Sequence, residues 1–144
     1  MTHRAETIMA ALTTAVTGLT TTGTRVHRGR VDNVPTLPAL SVFMGAERAE
    51  PPVQSFSRVR RELDVHIEIH ARGNQQLETT LNAIRAEVYA ALMADVTQGL
   101  GFVITTEWRA DDAPELSPEQ DYPIARQVMT WAVIYQHSLT SAEA

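Results

Sequence analysis

The sequence predicts an α+β fold: a two-layer sandwich with a mostly antiparallel or mixed sheet of about five strands and two helices covering one face. Three observations carry this. Residues 61–70 alternate strictly, with Leu63, Val65, Ile67 and Ile69 on one side and Glu62, Asp64, His66, Glu68 and His70 on the other. Successive side chains of a strand point to opposite faces, so this is a strand with one apolar and one polar side. Leu77, Leu81, Ile84, Val88, Leu92 and Val96 recur every three or four residues, the stripe of an amphipathic helix. Most other strand-like segments are joined by loop-like stretches, not helices, which favours antiparallel neighbours over βαβ units.

The elements follow in order. Residues 4–16 place Ile8, Leu12, Ala15 and Val16 at helical spacing; Thr2 or His3 precedes the first turn, and Gly18 is a stop signal. Residues 25–31 read as a short strand, and residues 32–38, with two prolines and an Asn, as a loop. Residues 39–44 form a mostly apolar strand. Residues 45–57 read as a loop, because Pro51 and Pro52 cannot both sit in a central ladder. The alternating strand then ends at Gly73, and Asn74 offers a cap to the helix over residues 75–96, which would span roughly 33 Å. Tyr89 and Met93 widen its stripe. Residues 102–108 read as a strand and residues 109–123 as an acidic, Pro-punctuated loop. Residues 124–136 form a last strand that is apolar on nearly both faces, the mark of a central position or of a face against another subunit.

A chain of 144 residues suits one domain, with a short polar tail from about residue 138. Without cysteine it has no disulfide, no thiolate nucleophile and no Cys-based zinc site. A net charge of −5 argues against a large basic surface for gripping DNA. All 12 cationic residues are arginine, the residue that makes bidentate carboxylate pairs. The first residues lack the apolar core of a signal peptide, and no run approaches the ~20 apolar residues of a membrane span, so the expectation is a soluble, unprocessed chain.

Chemistry-bearing constellations are sparse. His66, Glu68 and His70 share a strand face and are good zinc ligands, which motivates an alternative reading as a small metal- or ligand-binding α+β domain. Same-face neighbours stand about 6.5–7 Å apart, however, and three ligands in a straight row converge poorly on one ion. Asp111, Asp112, Glu115 and Asp121 belong to an acidic stretch with no base or nucleophile marked out beside them. No glycine-rich phosphate cradle is present. The expectation is a protein without catalytic activity, cofactor or metal.

Several segments together carry a resemblance: residues 37–43 followed by Gly45, Ala46 and Glu47; residues 61–70; residues 81–88; and residues 121–125 leading into Trp131 to Tyr135. In this order the chain, over residues 25–136, resembles the tail terminator proteins of long-tailed phages, the minor tail protein U type. The motifs are patterned apolar residues with no catalytic signature. The resemblance implies a small α+β subunit of a hexameric ring at the head–tail junction of the virion, assembled in the host cytoplasm. That ring caps the growing tail tube, ends its polymerisation and offers a joining surface to the head or neck. Its implied partners are other copies of the chain, the tail tube protein and a neck or head completion protein. Virion DNA passes through the lumen without specific binding, and no membrane is involved. A neck or head–tail completion protein is the neighbouring alternative.

A closed ring needs two different patches per subunit, and interfaces favour aromatic and Arg residues over Lys. The interface candidates are Glu47, Glu50, Pro51 and Pro52 in the 45–57 loop, Arg58, Arg60 and Arg61 beside it, and Asp111 and Asp112 in the acidic loop. Trp131 and Tyr135 join them from the last strand, although such residues are most often core.

Overall fold

A computed structural model of the chain describes residues 2–30, 34, 36–49, 58–117, 123–138 and 140–143. It contains helices α1 (Arg4–Ala15) and α2 (Leu77–Met93). Its strands are β1 (Val26–Arg28), β2 (Ala39–Ala49), β3 (Arg58–Arg72), β4 (Val103–Asp111), β5 (Glu115–Leu116) and β6 (Ile124–Ser138). They form one mixed sheet in the order β1-β2-β3-β6-β4, with β5 also paired to β6. Among the described strands β1 and β2 run parallel and every other pair is antiparallel. The predicted α+β sandwich is therefore found, with six strands where the sequence suggested about five. The extra one, β5, is two residues long, too short to leave a period in the sequence.

Strands β3 and β6 form the spine, paired without a break from Arg58 opposite Ser138 to Arg72 opposite Ile124. Leu63, Val65, Ile67 and Ile69 of β3 and Met129, Trp131, Val133 and Tyr135 of β6 are buried on the same side. There they meet Leu81, Ile84, Val88 and Leu92 of α2 and Ile8, Met9 and Leu12 of α1. Burying one such side chain contributes about 1.5–3 kcal/mol, so this layer drives the fold. Trp131 is also in ring contact with Tyr89, at 5.7 Å between centroids.

The ends of the helices show local chemistry. His3 is the N-cap of α1, its Nδ1 accepting the Ala5 N–H at 3.0 Å. Asn74 Oδ1 accepts the Gln76 N–H at 2.9 Å before α2 begins. Helix α2 is shorter than its stripe, 17 residues instead of the predicted 22 over 75–96. Asp95 explains the stop. Its carboxylate accepts the N–H of Thr97 and of Gly99, and Gln98 and Gly99 take positive φ. A side chain that captures backbone N–H groups competes with the helix for them. The Thr97 hydrogen bonds also hold the Asp95 carboxyl below its ordinary pKa.

Three boundaries correct the sequence reading. Strand β2 runs on through Glu47 to Ala49, so the start of the predicted 45–57 loop is strand. Strand β4 continues through Asp111, so residues 109–111 of the predicted acidic loop are strand too. β1 is only three residues long, ending before Gly29 at φ 92°. In all three cases pairing with a neighbour, not local pattern, sets where the strand ends.

Candidate assembly surface

The face of β3 opposite the helices carries Glu62, Asp64, His66, Glu68 and His70, as the alternation predicts. It is not a simply solvated face. Arg48 of β2 pairs with Glu62 and, at 3.2 Å, with Asp64. From the other edge Arg109 of β4 reaches Glu62 at 2.5 Å and Glu107 at 2.9 Å. Strand β6 lies between β3 and β4, so the Arg109–Glu62 pair crosses over it. Beneath this crossing Ala132, opposite Asp64, and Ile134, opposite Glu62, are buried. A strand that is apolar on both faces is thus covered by helices on one side and by a row of ion pairs on the other. Hydrogen bonding to Asp64 also raises the Arg48 pKa above its ordinary value.

The histidines of this face are engaged separately. His66 Nδ1 lies 3.2 Å from Thr130 Oγ1, and its ring stacks at a tilt against Phe43, 5.4 Å between centroids. It also sits where a Cβ on Gly45 would be, so a larger residue there would have to displace the ring. His70 is buried, with Nε2 2.9 Å from Ser41 Oγ and 3.3 Å from Glu68. Burial first, then the positive charges of Arg126 and His27, pull its pKa down to about 4. Among the described residues no three His, Asp or Glu side chains are placed to hold a metal ion. His66 and His70 are packed and hydrogen-bonded side chains, and Glu68 lies beside His70.

The interface candidates fall into four groups. Glu50, Pro51 and Pro52 lie outside the described residues. Arg58 is exposed at the start of β3, opposite Ser138, and Arg60 lies one same-face step along, opposite Gln136. The side chains of Glu47, Arg61 and Asp111 are held within the chain, whereas Asp112 is exposed and bonded through its backbone. Glu47 accepts from Arg61 at 2.9 Å and from the Tyr135 hydroxyl at 2.6 Å, and Arg61 Nε donates to His137 at 2.7 Å. Asp111 takes Arg85 at 2.7 Å and the Trp108 indole N–H at 2.9 Å, while the backbone N–H of Asp112 donates to Val128. Trp131 and Tyr135 are fully buried core residues, a correction to their place among the interface candidates. Burial, followed by the hydrogen bond to Glu47, raises the Tyr135 pKa above its ordinary value.

Among the described residues the exposed aromatic side chains lie elsewhere. Tyr89, read as a widening of the helix stripe, is 49% exposed, and Trp108 of β4 is 46% exposed. With Arg85 and Asp111 they line a groove of about 450 Å³ between α2 and β4. The sequence signal was faint: Trp108 sits at the end of a short apolar segment, and only its neighbours across the sheet show which way it points.

No protein-family model matches this sequence, and no curated protein matches it. Comparison of folds does find a likeness. The chain is similar to a chain of the virion of a native gene transfer agent particle, with a TM-score of 0.54. The match covers 93% of this chain and 88% of that one, at 17% identity. At that identity the two share a fold, and the α+β sandwich above is the part shared.

Proposed function

We propose that this chain is a structural subunit of a phage-like virion, and that it forms the ring that caps the tail tube at the head–tail junction. The observation that carries the reading is the fold likeness, over nearly the whole chain, to a chain of a virion particle. It joins the sequence resemblance to tail terminators, which rests on segments now seen as β2, β3, α2 and β6. The described side chains also suit a structural role. Carboxylates and arginines are spent on one another across the sheet, and exposed aromatic surface is concentrated beside one edge. In this role the chain assembles with copies of itself, as a hexamer, and meets the tube protein on one side and a neck or head completion protein on the other. DNA passes the lumen without specific binding, in keeping with a net charge of −5.

The test is an assembly experiment. Purified protein added to polymerising tube protein should yield tubes of limited length with a ring at one end in negative stain. Unchanged tube lengths together with restored joining of finished tails to heads would assign the chain to the neck instead. No effect on either step would remove the virion reading.

A further inference from the structure

The two open edges of the sheet match. Strand β1 covers β2 only at Leu40, Ser41 and Val42, and no described strand pairs with the outer edge of β2 from Phe43 to Ala49. At the other side of the sheet β4 is last in order, and no described strand pairs with its outer edge. The register shows that the two open stretches occupy the same rows. Met44, Val65, Trp131 and Trp108 form one row across the sheet; Glu47, Leu63, Val133 and Thr106 form another; Ala49, Arg61, Tyr135 and Val103 a third. Since β2, β3, β6 and β4 are successively antiparallel, β4 runs opposite to β2.

The ends of these rows are complementary. On the helix side Met44 and Trp108, 45% and 46% exposed, stand at opposite ends of a single row. On the outer side β2 ends in Arg48 and β4 in Glu107. Counted along β6, Arg48 lies level with Ile134 and Glu107 with Ala132, one same-face step of about 7 Å, within reach of an arginine side chain. Both edge strands carry register shifts, at Met44/Glu47 in β2 and at Val103/Thr105 and Trp108/Ala110 in β4. Bulges of this kind discourage pairing with an arbitrary flat strand.

Resting on the ring reading, we infer that successive copies join through these edges. The β4 edge of one subunit pairs antiparallel with the Phe43–Ala49 edge of the next, Trp108 packs on the neighbour's Met44, and Glu107 faces the neighbour's Arg48. Such an interface is heterologous, and repetition closes a ring when the rotation allows. Main-chain hydrogen bonds supply affinity, and the Trp–Met contact supplies an aromatic anchor.

Absence of cysteine makes the test direct. Directly opposed residues of antiparallel strands have Cβ atoms about 4.5–5.5 Å apart, close enough for a disulfide after a small adjustment. Met44→Cys protein mixed with Trp108→Cys protein should give a covalent dimer on mild oxidation, and the double variant a ladder of multimers. Each single variant alone should give none. Trp108→Lys should shift the particle mass to monomer at micromolar concentration, with circular dichroism unchanged. Rings that persist in Trp108→Lys, or that form without the mixed cross-link, would overturn this interface and leave the ring reading standing. A cross-link within either single variant would replace it with a two-fold pairing. Monomers without cross-links, alone and on tubes, would sink both readings.

Discussion

On its helix side β3 buries Leu63, Val65, Ile67 and Ile69 against α2, a contact of volume against volume. On its other side Glu62, Asp64, His66 and Glu68 are half-buried and His70 is buried, yet no described helix or strand lies over them. Glu62 and Asp64 pair with Arg48 and Arg109, His66 meets Phe43 and Thr130, and Glu68 and His70 lie against each other beside Ser41. The first layer is held by the hydrophobic effect, which is indifferent to salt at ordinary strengths. The second is held by ion pairs and close fits, which are individually weak and sensitive to pH and ionic strength. The difference assigns the two faces different work: the helix side makes the fold, and the outer side keeps a strand that is apolar on both faces from exposing itself.

Four experiments break or sharpen that contrast. The largest effect belongs to the helix side: Trp131→Ala should cost about 3–5 kcal/mol, read by urea denaturation, because a fully buried indole leaves a cavity between β6 and Tyr89. Next comes the acid sensitivity of the outer side. His70 has a folded pKa near 4, below its ordinary 6.5, so the unfolded chain binds the proton first as pH falls. Stability should therefore be fullest above about pH 6.5 and decline from there toward pH 4, with a slope of at most about 1.4 kcal/mol per pH unit. His27, Arg126 and Glu68 surround the group. His70→Asn should flatten thermal melting between those pH values; an unchanged slope would mean that other groups carry it.

A third experiment probes fit. Gly45→Ala places a Cβ on the His66 ring and should cost about 1–3 kcal/mol. Adding His66→Ala should recover part of the loss, and a strictly additive pair would show that the two positions do not touch. The smallest effect is expected from Glu62→Gln, which loosens both Arg48 and Arg109: roughly 1 kcal/mol or less, shrinking as salt is raised. A loss as large as that of Trp131→Ala would put the outer face on an equal footing with the core.

Much of this was legible beforehand. The alternation of residues 61–70 marked β3 and sorted its faces correctly, and the stripe from Leu77 to Leu92 marked α2 and its buried side. Both are periodic over many residues, so a single dominant face stands out. What failed was local and non-periodic. The end of α2 depended on the Asp95 carboxylate, the ends of β2 and β4 on strands far away in sequence, and β5 on two residues. Of the interface candidates, Trp131 and Tyr135 turned inward, while Tyr89 and Trp108 supplied the exposed aromatic surface.

By itself, then, the sequence determined the α+β class, the two long strands, the two helices and which side of β3 is apolar, because hydrophobic periodicity is a property of neighbouring residues along one chain. The tertiary structure alone decided that the polar side of β3 is roofed by Arg48 and Arg109, that His70 is buried beside Ser41, and that Met44 and Trp108 end the same row. Those facts depend on register between strands far apart in sequence, as where Arg58 stands opposite Ser138, and register is set by pairing across the sheet, which no local pattern encodes.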